Sequence, residues 1–191
     1  MVKKIAVFVS GNGSNFENIT RFFQGNKNVE VALLVSNKED AYALQRAKRL
    51  GVESVVWKKN DFADEQRTMQ LLDSHDIQFI ILAGFLLMVP SYLIRHFNHR
   101  IVNIHPSLLP KYGGKGMYGD HVHAAVKAAG DTESGITIHY VSDVCDGGDI
   151  IRQEKTPIYP SDTIDDIAAK IHHLEKEFFP QTILEIIEKQ K

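Results

Sequence analysis

The sequence contains a single cysteine, almost no net charge and no long apolar run. Cys145 alone cannot form an intrachain disulfide or a multi-cysteine metal site, and its isolation fits a reducing cytoplasm. A formal net charge of -2 provides no overall field for nucleic acid or an anionic membrane. The apolar start ends at Val9, too early for a signal peptide, and no apolar stretch approaches the roughly 20 residues that span a bilayer. The composition predicts a soluble cytoplasmic protein with no nucleic-acid or membrane partner.

Short apolar runs alternate with segments of helical spacing along the first hundred residues. The runs predict strands at residues 5–9, 29–35, 52–57, 77–83 and 100–104. The periodic segments predict helices from near residue 14 and at residues 41–50, 62–74 and 90–97, with Pro90 in the first turn of the last one. This alternation favours an α/β fold with a doubly wound, mostly parallel sheet and right-handed crossovers.

The second half of the chain is organised differently, with two adjacent strands and a long helix. The predicted elements are a glycine-rich loop at 112–119, a helix at 121–129, strands at 135–141 and 149–158 joined by a tight turn at 146–148, and an amphipathic helix at 163–189 interrupted at Pro180. Repeats and linkers are absent from the sequence. We therefore expect one domain over residues 1–191, with a mixed C-terminal part.

Residues 10–15 (SGNGSN) lie where the first strand meets the first helix. In an open α/β sheet this position favours an anion, and the two glycines would let backbone amides approach a phosphate. One alternative is a structural turn with Ser14 as the helix N-cap. Another is a dinucleotide-binding loop, but Phe16 stands at the third glycine position and Ser36-Asn37 replaces the acid that would hold a ribose.

An asparagine, a histidine and an aspartate form a second candidate site. Asn103 and His105 are two residues apart on a strand, so their side chains point to the same side, and Pro106 ends the regular strand. Asp146 begins an Asp-Gly-Gly turn whose glycines would let the backbone pass close to a ligand. Acyl transfer to an amine needs an oxyanion donor and a proton carrier, which these side chains would supply. A strand cap and an ordinary turn remain the structural alternative.

Three segments together carry a family resemblance: residues 10–15 (SGNGSN), 103–112 (NIHPSLLPKY) and 146–148 (DGG). In order and spacing they resemble the folate-dependent phosphoribosylglycinamide formyltransferases, over nearly the whole chain. The resemblance implies a Rossmann-like formyltransferase fold. It also implies transfer of the formyl group of 10-formyltetrahydrofolate to the amine of glycinamide ribonucleotide in purine biosynthesis, without a metal. A homodimer is compatible with the sequence, whose apolar faces serve core and interface alike.

The resemblance also implies roles for individual residues. His105 would be the general acid that protonates the leaving folate nitrogen, Asp146 would raise the pKa of His105, and Asn103 would polarise the formyl group. The ribonucleotide phosphate and sugar would be bound by Gly13, Ser14, Asn15, His172, His173, Leu174 and Glu175. The folate would be bound by Leu86, Leu87, Met88, Val89, Asn103, Ser142, Asp143, Val144, Cys145 and Asp146.

One departure from the family pattern lies in the first half. Family members commonly carry an arginine three residues after the phenylalanine that matches Phe62; here that residue is Glu65, and Arg67 is the nearest substitute. Among other candidates, the His121/His123 pair has no third metal ligand nearby, and both residues are expected to be polar groups of a loop or helix. His139 is expected to be a packed, hydrogen-bonded imidazole, and Cys145 a small packing residue.

Three rival functions remain open at this stage. Methionyl-tRNA formyltransferases have similar catalytic residues but usually carry a basic C-terminal domain, and formyltetrahydrofolate deformylases usually carry an N-terminal regulatory domain; neither domain is expected here. The third rival is a non-catalytic nucleotide-binding or redox module, which the incomplete glycine motif disfavours.

Overall fold

The computed structural model describes residues 2–190 and contains a seven-stranded sheet with the strand order β3-β2-β1-β4-β5-β6-β7. The chain divides into two compact units: the first runs to Val102 and includes the C-terminal residues from Ile187, and the second is Asn103–Ile186. The predicted α/β class with a mostly parallel sheet is confirmed. A single domain over the whole chain stays a prediction.

The first unit alternates strands and helices. Its strands are β1 (Lys3–Val9), β2 (Val29–Ser36), β3 (Glu53–Val56) and β4 (Ile77–Leu82), and the pairs β1–β2, β1–β4 and β2–β3 are all parallel. Its helices are α1 (Ser14–Phe23), α2 (Tyr42–Leu50), α3 (Lys59–Phe62), α4 (Glu65–Ser74) and α5 (Ser91–His96). β5 (Ile101–His105) begins in this unit and ends in the second.

Burial explains why these segments adopt these structures. All five residues from Ile5 to Val9 are buried, as expected for a strand covered on both faces. On α1 the buried residues are Phe16, Ile19 and Phe23, a stripe at helical spacing that packs one face of the helix.

Two helix predictions in the first unit are wrong in detail. The single helix expected at residues 62–74 begins later, at Glu65, and Phe62 belongs to the separate short helix α3. Asp64 caps α4, because its side chain accepts a hydrogen bond from Arg67 N at 3.0 Å. A capping aspartate competes with helix continuation. Pro90 is the N-cap of α5 with extended backbone angles, one residue before the first turn where it was expected.

The second unit contains α6 (Asp120–Ala129), the antiparallel pair β6 (Glu133–Tyr140) and β7 (Ile150–Pro157), and the start of α7 (Ile164–Lys189). The predicted interruption at Pro180 is wrong, since α7 runs through it. A proline inside a helix removes one hydrogen bond and costs about 3 kcal/mol. The neighbouring Phe179 and Ile183 are almost fully buried, and this packing offsets the cost. Within residues 2–190, no helix has the length and apolar character needed to cross a membrane.

Candidate active site

His105 ends β5 and is one of the most buried polar residues of the second unit, with 4% of its surface exposed. Its Nε2 lies 2.7 Å from the backbone oxygen of Tyr112. Its Nδ1 lies 3.5 Å from Oδ2 of Asp146. A carbonyl oxygen can only accept, so Nε2 carries a proton and Nδ1 faces the carboxylate. The structure therefore brings the predicted histidine and aspartate together, although they are far apart in the sequence.

The carboxylate of Asp146 is held by its own turn and by the glycine-rich loop at 112–119. Asp146 has a φ of 53°, which non-glycine residues adopt at a cost of about 1–3 kcal/mol. The turn is closed by a hydrogen bond from Gly147 N to Val144 O at 3.1 Å, so it lies slightly earlier than the turn predicted at 146–148. Gly114 N donates to Asp146 Oδ2 at 2.8 Å. These bonds aim the carboxylate at the imidazole of His105.

Asn103 belongs to the same cluster through a fourth residue, His139 of β6. Asn103 Nδ2 lies 3.0 Å from Nε2 of His139, whose Nδ1 lies 2.9 Å from the backbone oxygen of Tyr140. His139 Nε2 is also 3.7 Å from Asp146 Oδ1. The sequence predicted a packed, hydrogen-bonded His139 but not its link to Asn103, because periodicity does not show which residues of neighbouring strands meet.

The glycines of the Asp-Gly-Gly segment are required by packing within the chain. A Cβ on Gly148 would lie 1.8 Å from the backbone oxygen of Tyr140, and one on Gly147 would lie 2.7 Å from Cγ1 of Val144. Neither glycine has a positive φ. The chain itself therefore occupies the space that a side chain at either position would need, and the approach of this backbone to a ligand stays a prediction.

The remaining residues of the predicted folate loop are mostly exposed. Ser142 is half-buried, Asp143 is exposed and Val144 has 67% of its surface exposed. Cys145 is also exposed, so its prediction as a packing residue is wrong. Partial burial of the thiol, followed by the charge of the Asp146 carboxylate, raises the pKa of Cys145 above its usual range. The thiol is therefore protonated near neutral pH and is a poor nucleophile.

The predicted phosphate loop lies in the first unit. Gly13, with a φ of 76°, is the N-cap of α1. Ser14 is the first helical residue, so it is not the N-cap that the alternative of a structural turn predicted. A Cβ on Gly13 would lie 2.5 Å from Cβ of Ala43, so this glycine is also needed for contact with α2. Ser14 is exposed and Asn15 half-buried at the helix start, where backbone amides point outwards.

An arginine that the sequence analysis did not identify holds this loop in place. Arg46 of α2 donates from Nε to the backbone oxygen of Asn12 at 2.9 Å and from Nη2 to its side-chain oxygen at 2.7 Å. Nη1 of Arg46 is paired with Glu17. The arginine is thus partly neutralised and acts on the loop through Asn12. Its position on a separate helix gave no local signal in the sequence.

Of the predicted folate-binding residues at 86–89, Leu86, Leu87 and Met88 line a cavity in the first unit, and Val89 is buried. The rest of the lining is mainly apolar and consists of Lys59, Phe62, Ala63, Pro90 and Tyr92. Ser10 connects the phosphate loop to this segment, because its Oγ accepts from Leu86 N at 2.8 Å. A flat aromatic ligand suits such walls.

The proposed substitute for the missing family arginine already has partners. Arg67 Nη1 lies 2.7 Å from Asp61 Oδ1, and the guanidinium stacks 4.5 Å from the centre of the Trp57 ring. Glu65, which stands at the family position, begins α4. Arg67 therefore supports the local structure of the first unit.

The predicted ribonucleotide residues on α7 do not share one face. His172 and His173 are exposed, whereas Leu174 and Glu175 are buried. Successive helical residues point about 100° apart, so the four side chains point in different directions. His121 is exposed and His123 buried on α6, and residues 2–190 contain no group of three or more His, Cys, Asp or Glu side chains arranged to bind a metal.

Comparison with known proteins shows the family of this chain. Residues 3–183 match the family model described as formyl transferase. A chloroplastic phosphoribosylglycinamide formyltransferase of Arabidopsis thaliana is 38% identical over 98% of the chain, which spans 66% of that protein's length. The Bacillus subtilis phosphoribosylglycinamide formyltransferase is 38% identical over 97% of the chain and 95% of its own length. The crystal structure of a phosphoribosylglycinamide formyltransferase from Streptococcus pneumoniae TIGR4 superposes with a TM-score of 0.85 at 38% identity, covering 97% of this chain and 99% of that one. The chain therefore belongs to the formyl transferase family.

Proposed function

We propose that this protein transfers the formyl group of 10-formyltetrahydrofolate to the amine of glycinamide ribonucleotide, as a phosphoribosylglycinamide formyltransferase. The observation that carries the proposal is the contact between the buried His105 and the half-buried Asp146, 3.5 Å apart and in one cluster with Asn103, in a member of the formyl transferase family. The relatives' activity supports the choice of substrates.

The reaction begins with attack of the substrate amine on the formyl carbon. A carbon–nitrogen bond forms, and the formyl oxygen becomes an oxyanion of a tetrahedral intermediate. Asn103 donates a hydrogen bond from Nδ2 to that oxygen. One such donor contributes on the order of 10²–10³ in rate in other acyl-transfer enzymes. No side-chain nucleophile takes part, because the amine attacks directly.

Collapse of the intermediate breaks the bond between the formyl carbon and the folate nitrogen. The leaving nitrogen gains a proton, and the proton that the attacking amine loses returns to His105, so the imidazole ends the reaction in the state in which it began. His105 supplies the proton to the leaving nitrogen, and Asp146 stabilises the charged imidazolium that carries it. In the structure, Nε2 of His105 donates to Tyr112 O. To protonate the folate nitrogen from Nε2, the imidazole must give up this hydrogen bond and form one with the folate nitrogen instead.

Each substrate is assigned to the segments that the family resemblance implies. We assign the ribonucleotide phosphate to Gly13, Ser14 and Asn15, whose amides begin α1, and the ribonucleotide amine or sugar to the 172–175 segment. We assign the pterin to Leu86–Val89 and to the 142–146 loop. The family resemblance supports these assignments, and the apolar cavity fits a flat ring. The single cysteine supports a cytoplasmic location.

A spectrophotometric assay of tetrahydrofolate release tests the proposal. Purified protein with 10-formyltetrahydrofolate is followed with and without glycinamide ribonucleotide. We expect release only when the ribonucleotide is present, together with formylated ribonucleotide in equal amount. A His105→Ala variant, prepared in the same way, controls for contaminating activity.

The rival functions give different results in the same assay. Release of tetrahydrofolate and formate without any acceptor would identify a deformylase and contradict the proposal. Transfer to methionyl-tRNA but not to the ribonucleotide would identify another acceptor. Binding of a nicotinamide cofactor in a calorimetric titration, with no binding of a folate analogue, would identify a redox or nucleotide-binding module.

A further inference from the structure

His139 is more buried than any of the three proposed catalytic residues, with 2% of its surface exposed. Both of its ring nitrogens are occupied: Nδ1 by the backbone oxygen of Tyr140 at 2.9 Å, and Nε2 by Nδ2 of Asn103 at 3.0 Å. A structural imidazole needs no contact with a catalytic amide. This contact indicates that His139 takes part in organising the reaction.

The hydrogen bonds determine where the protons are. The oxygen of Tyr140 can only accept, so Nδ1 of His139 must carry a hydrogen. Burial lowers the pKa of His139 below its usual range, and this effect exceeds the opposing influence of the Tyr140 carbonyl and of Asp146. The ring is therefore neutral, and Nε2 has a bare lone pair. Only the NH₂ end of Asn103 can bond to it, which determines the orientation of the amide.

We propose that His139 is the positioning residue of Asn103: it holds one amide hydrogen so that the second points to the formyl oxygen. A flipped amide would present its oxygen to the developing oxyanion and repel it. The Tyr140 carbonyl determines the tautomer, and the tautomer determines the amide orientation. This inference rests on the proposed formyl transfer, since it assigns a function to the donor used in that reaction.

The neutral state of His139 has a second consequence for Asp146. The carboxylate lies between two imidazoles, with Oδ2 at 3.5 Å from His105 Nδ1 and Oδ1 at 3.7 Å from His139 Nε2. A neutral His139, whose Nε2 presents a lone pair, does not form an ion pair with the Asp146 carboxylate. Asp146 therefore stabilises positive charge on His105 alone.

Two variants of residue 139 test the proposal. His139→Leu introduces an apolar side chain of similar bulk and removes the acceptor. We expect kcat to fall by about 10–100-fold with nearly unchanged KM for both substrates, as misplacement of a reacting group by 1 Å does. In His139→Gln the side-chain oxygen can occupy the position of Nε2, and we expect kcat to recover to within a few-fold of wild type. Equal losses in the two variants would overturn the proposal.

A double-variant cycle separates positioning from packing. In single turnovers, His139→Leu should have almost no further effect once Asn103→Ala is present, because there is no amide left to orient. If the two losses in single-turnover rate multiply in the double variant, His139 acts independently of Asn103. His123→Leu removes an equally buried imidazole of the same unit, and we expect wild-type kcat; a matching loss there would point to general packing.

Different results would contradict the proposed function and the positioning role of His139. Wild-type protein without acceptor-dependent turnover contradicts the proposed function, whereas active wild type with a silent His139→Leu contradicts only the positioning. Nitrogen-15 spectra of the histidines provide a direct check. We expect His139 to be neutral with its proton on Nδ1 at pH 7, and a proton on Nε2 would overturn the inference.

Discussion

Gly148 passes so close to Tyr140 that a Cβ on the glycine would lie 1.8 Å from the backbone oxygen of the tyrosine. The same oxygen accepts the hydrogen bond from Nδ1 of His139. The second glycine of the Asp-Gly-Gly segment is therefore coupled to the cluster of Asn103, His139 and Asp146 through a backbone carbonyl. A larger residue at this position must displace either the loop of Asp146 or the strand that carries His139.

The first prediction is that Gly148→Ala impairs both stability and activity. Overpacking usually costs about 1–3 kcal/mol, and here the obstacle is backbone, so we expect a loss at or above that range. Gly147→Ala is the matched control: its Cβ would meet the Val144 side chain, which is exposed and can move. Urea denaturation and kcat measure both effects. A Gly148→Ala variant as stable and active as Gly147→Ala would contradict the coupling.

The second prediction concerns the proton carrier and its partner. His105→Ala and Asp146→Asn should each lower kcat by about 10²–10⁴-fold, the usual contribution of general acid catalysis. Asparagine still accepts the bond from Gly114 N, so Asp146→Asn removes the charge while retaining the loop. Thermal denaturation should show folded variants in both cases. Asp149→Asn changes an exposed acid three residues away and should keep wild-type turnover; near-normal kcat in Asp146→Asn would refute the assigned role.

The third prediction is that Gly13 of the proposed phosphate loop is needed for stability and not for ligand binding alone. Gly13→Ala combines a strained φ with a Cβ 2.5 Å from Cβ of Ala43, so we expect a loss of about 2–4 kcal/mol in the free energy of unfolding. Gly11→Ala, in the same loop, meets nothing within 4 Å and should change stability little. Equal stability of the two variants would show that the loop adapts. The KM for the ribonucleotide should be compared between the two variants only after their free energies of unfolding have been measured.

Much of the fold could be predicted from local sequence patterns. The buried run at residues 5–9 and the stripe of Phe16, Ile19 and Phe23 depend only on periodicity, and both are found as predicted. Failures occurred where a single residue competes with its surroundings. Asp64 caps a helix inside a periodic segment, and Pro180 is tolerated because its neighbours are buried. Tertiary packing decides such cases, and local patterns do not record it.

The candidate site was less predictable than the fold. Resemblance singled out Asn103, His105 and Asp146, which the structure brings into one cluster, but their roles stay predictions. The contact of His139 with Asn103 and that of Arg46 with Asn12 were not predicted, because they join segments distant in sequence. Hydrogen-bond direction and tautomer follow from geometry and are not visible in sequence periodicity.

The fourth prediction separates two neighbouring arginines of α2. Arg46 and Arg49 both approach Glu17, but only Arg46 is bonded to Asn12. Arg46→Ala should therefore loosen the loop and raise the KM for glycinamide ribonucleotide by roughly tenfold, the equivalent of about 1.4 kcal/mol. The KM for the folate should stay unchanged. Arg49→Ala should leave both values at wild type, and a similar rise in both variants would indicate long-range charge rather than loop support.

The fifth prediction is a pH dependence of stability at the same loop. Hydrogen bonds from Arg21 and then Arg46 lower the pKa of Glu17 below its ordinary 4.5. A lowered folded-state pKa means that the stabilisation is complete above pH 4.5 and disappears as pH falls through the lower folded value. Wild type should therefore exceed Glu17→Gln in Tm by a constant margin at pH 5–7, and the margin should shrink below 4.5. Glu188→Gln, at the exposed end of α7, should show no such margin. A Glu17→Gln margin that persisted unchanged into strong acid would mean that shape, rather than charge, makes Glu17 stabilising.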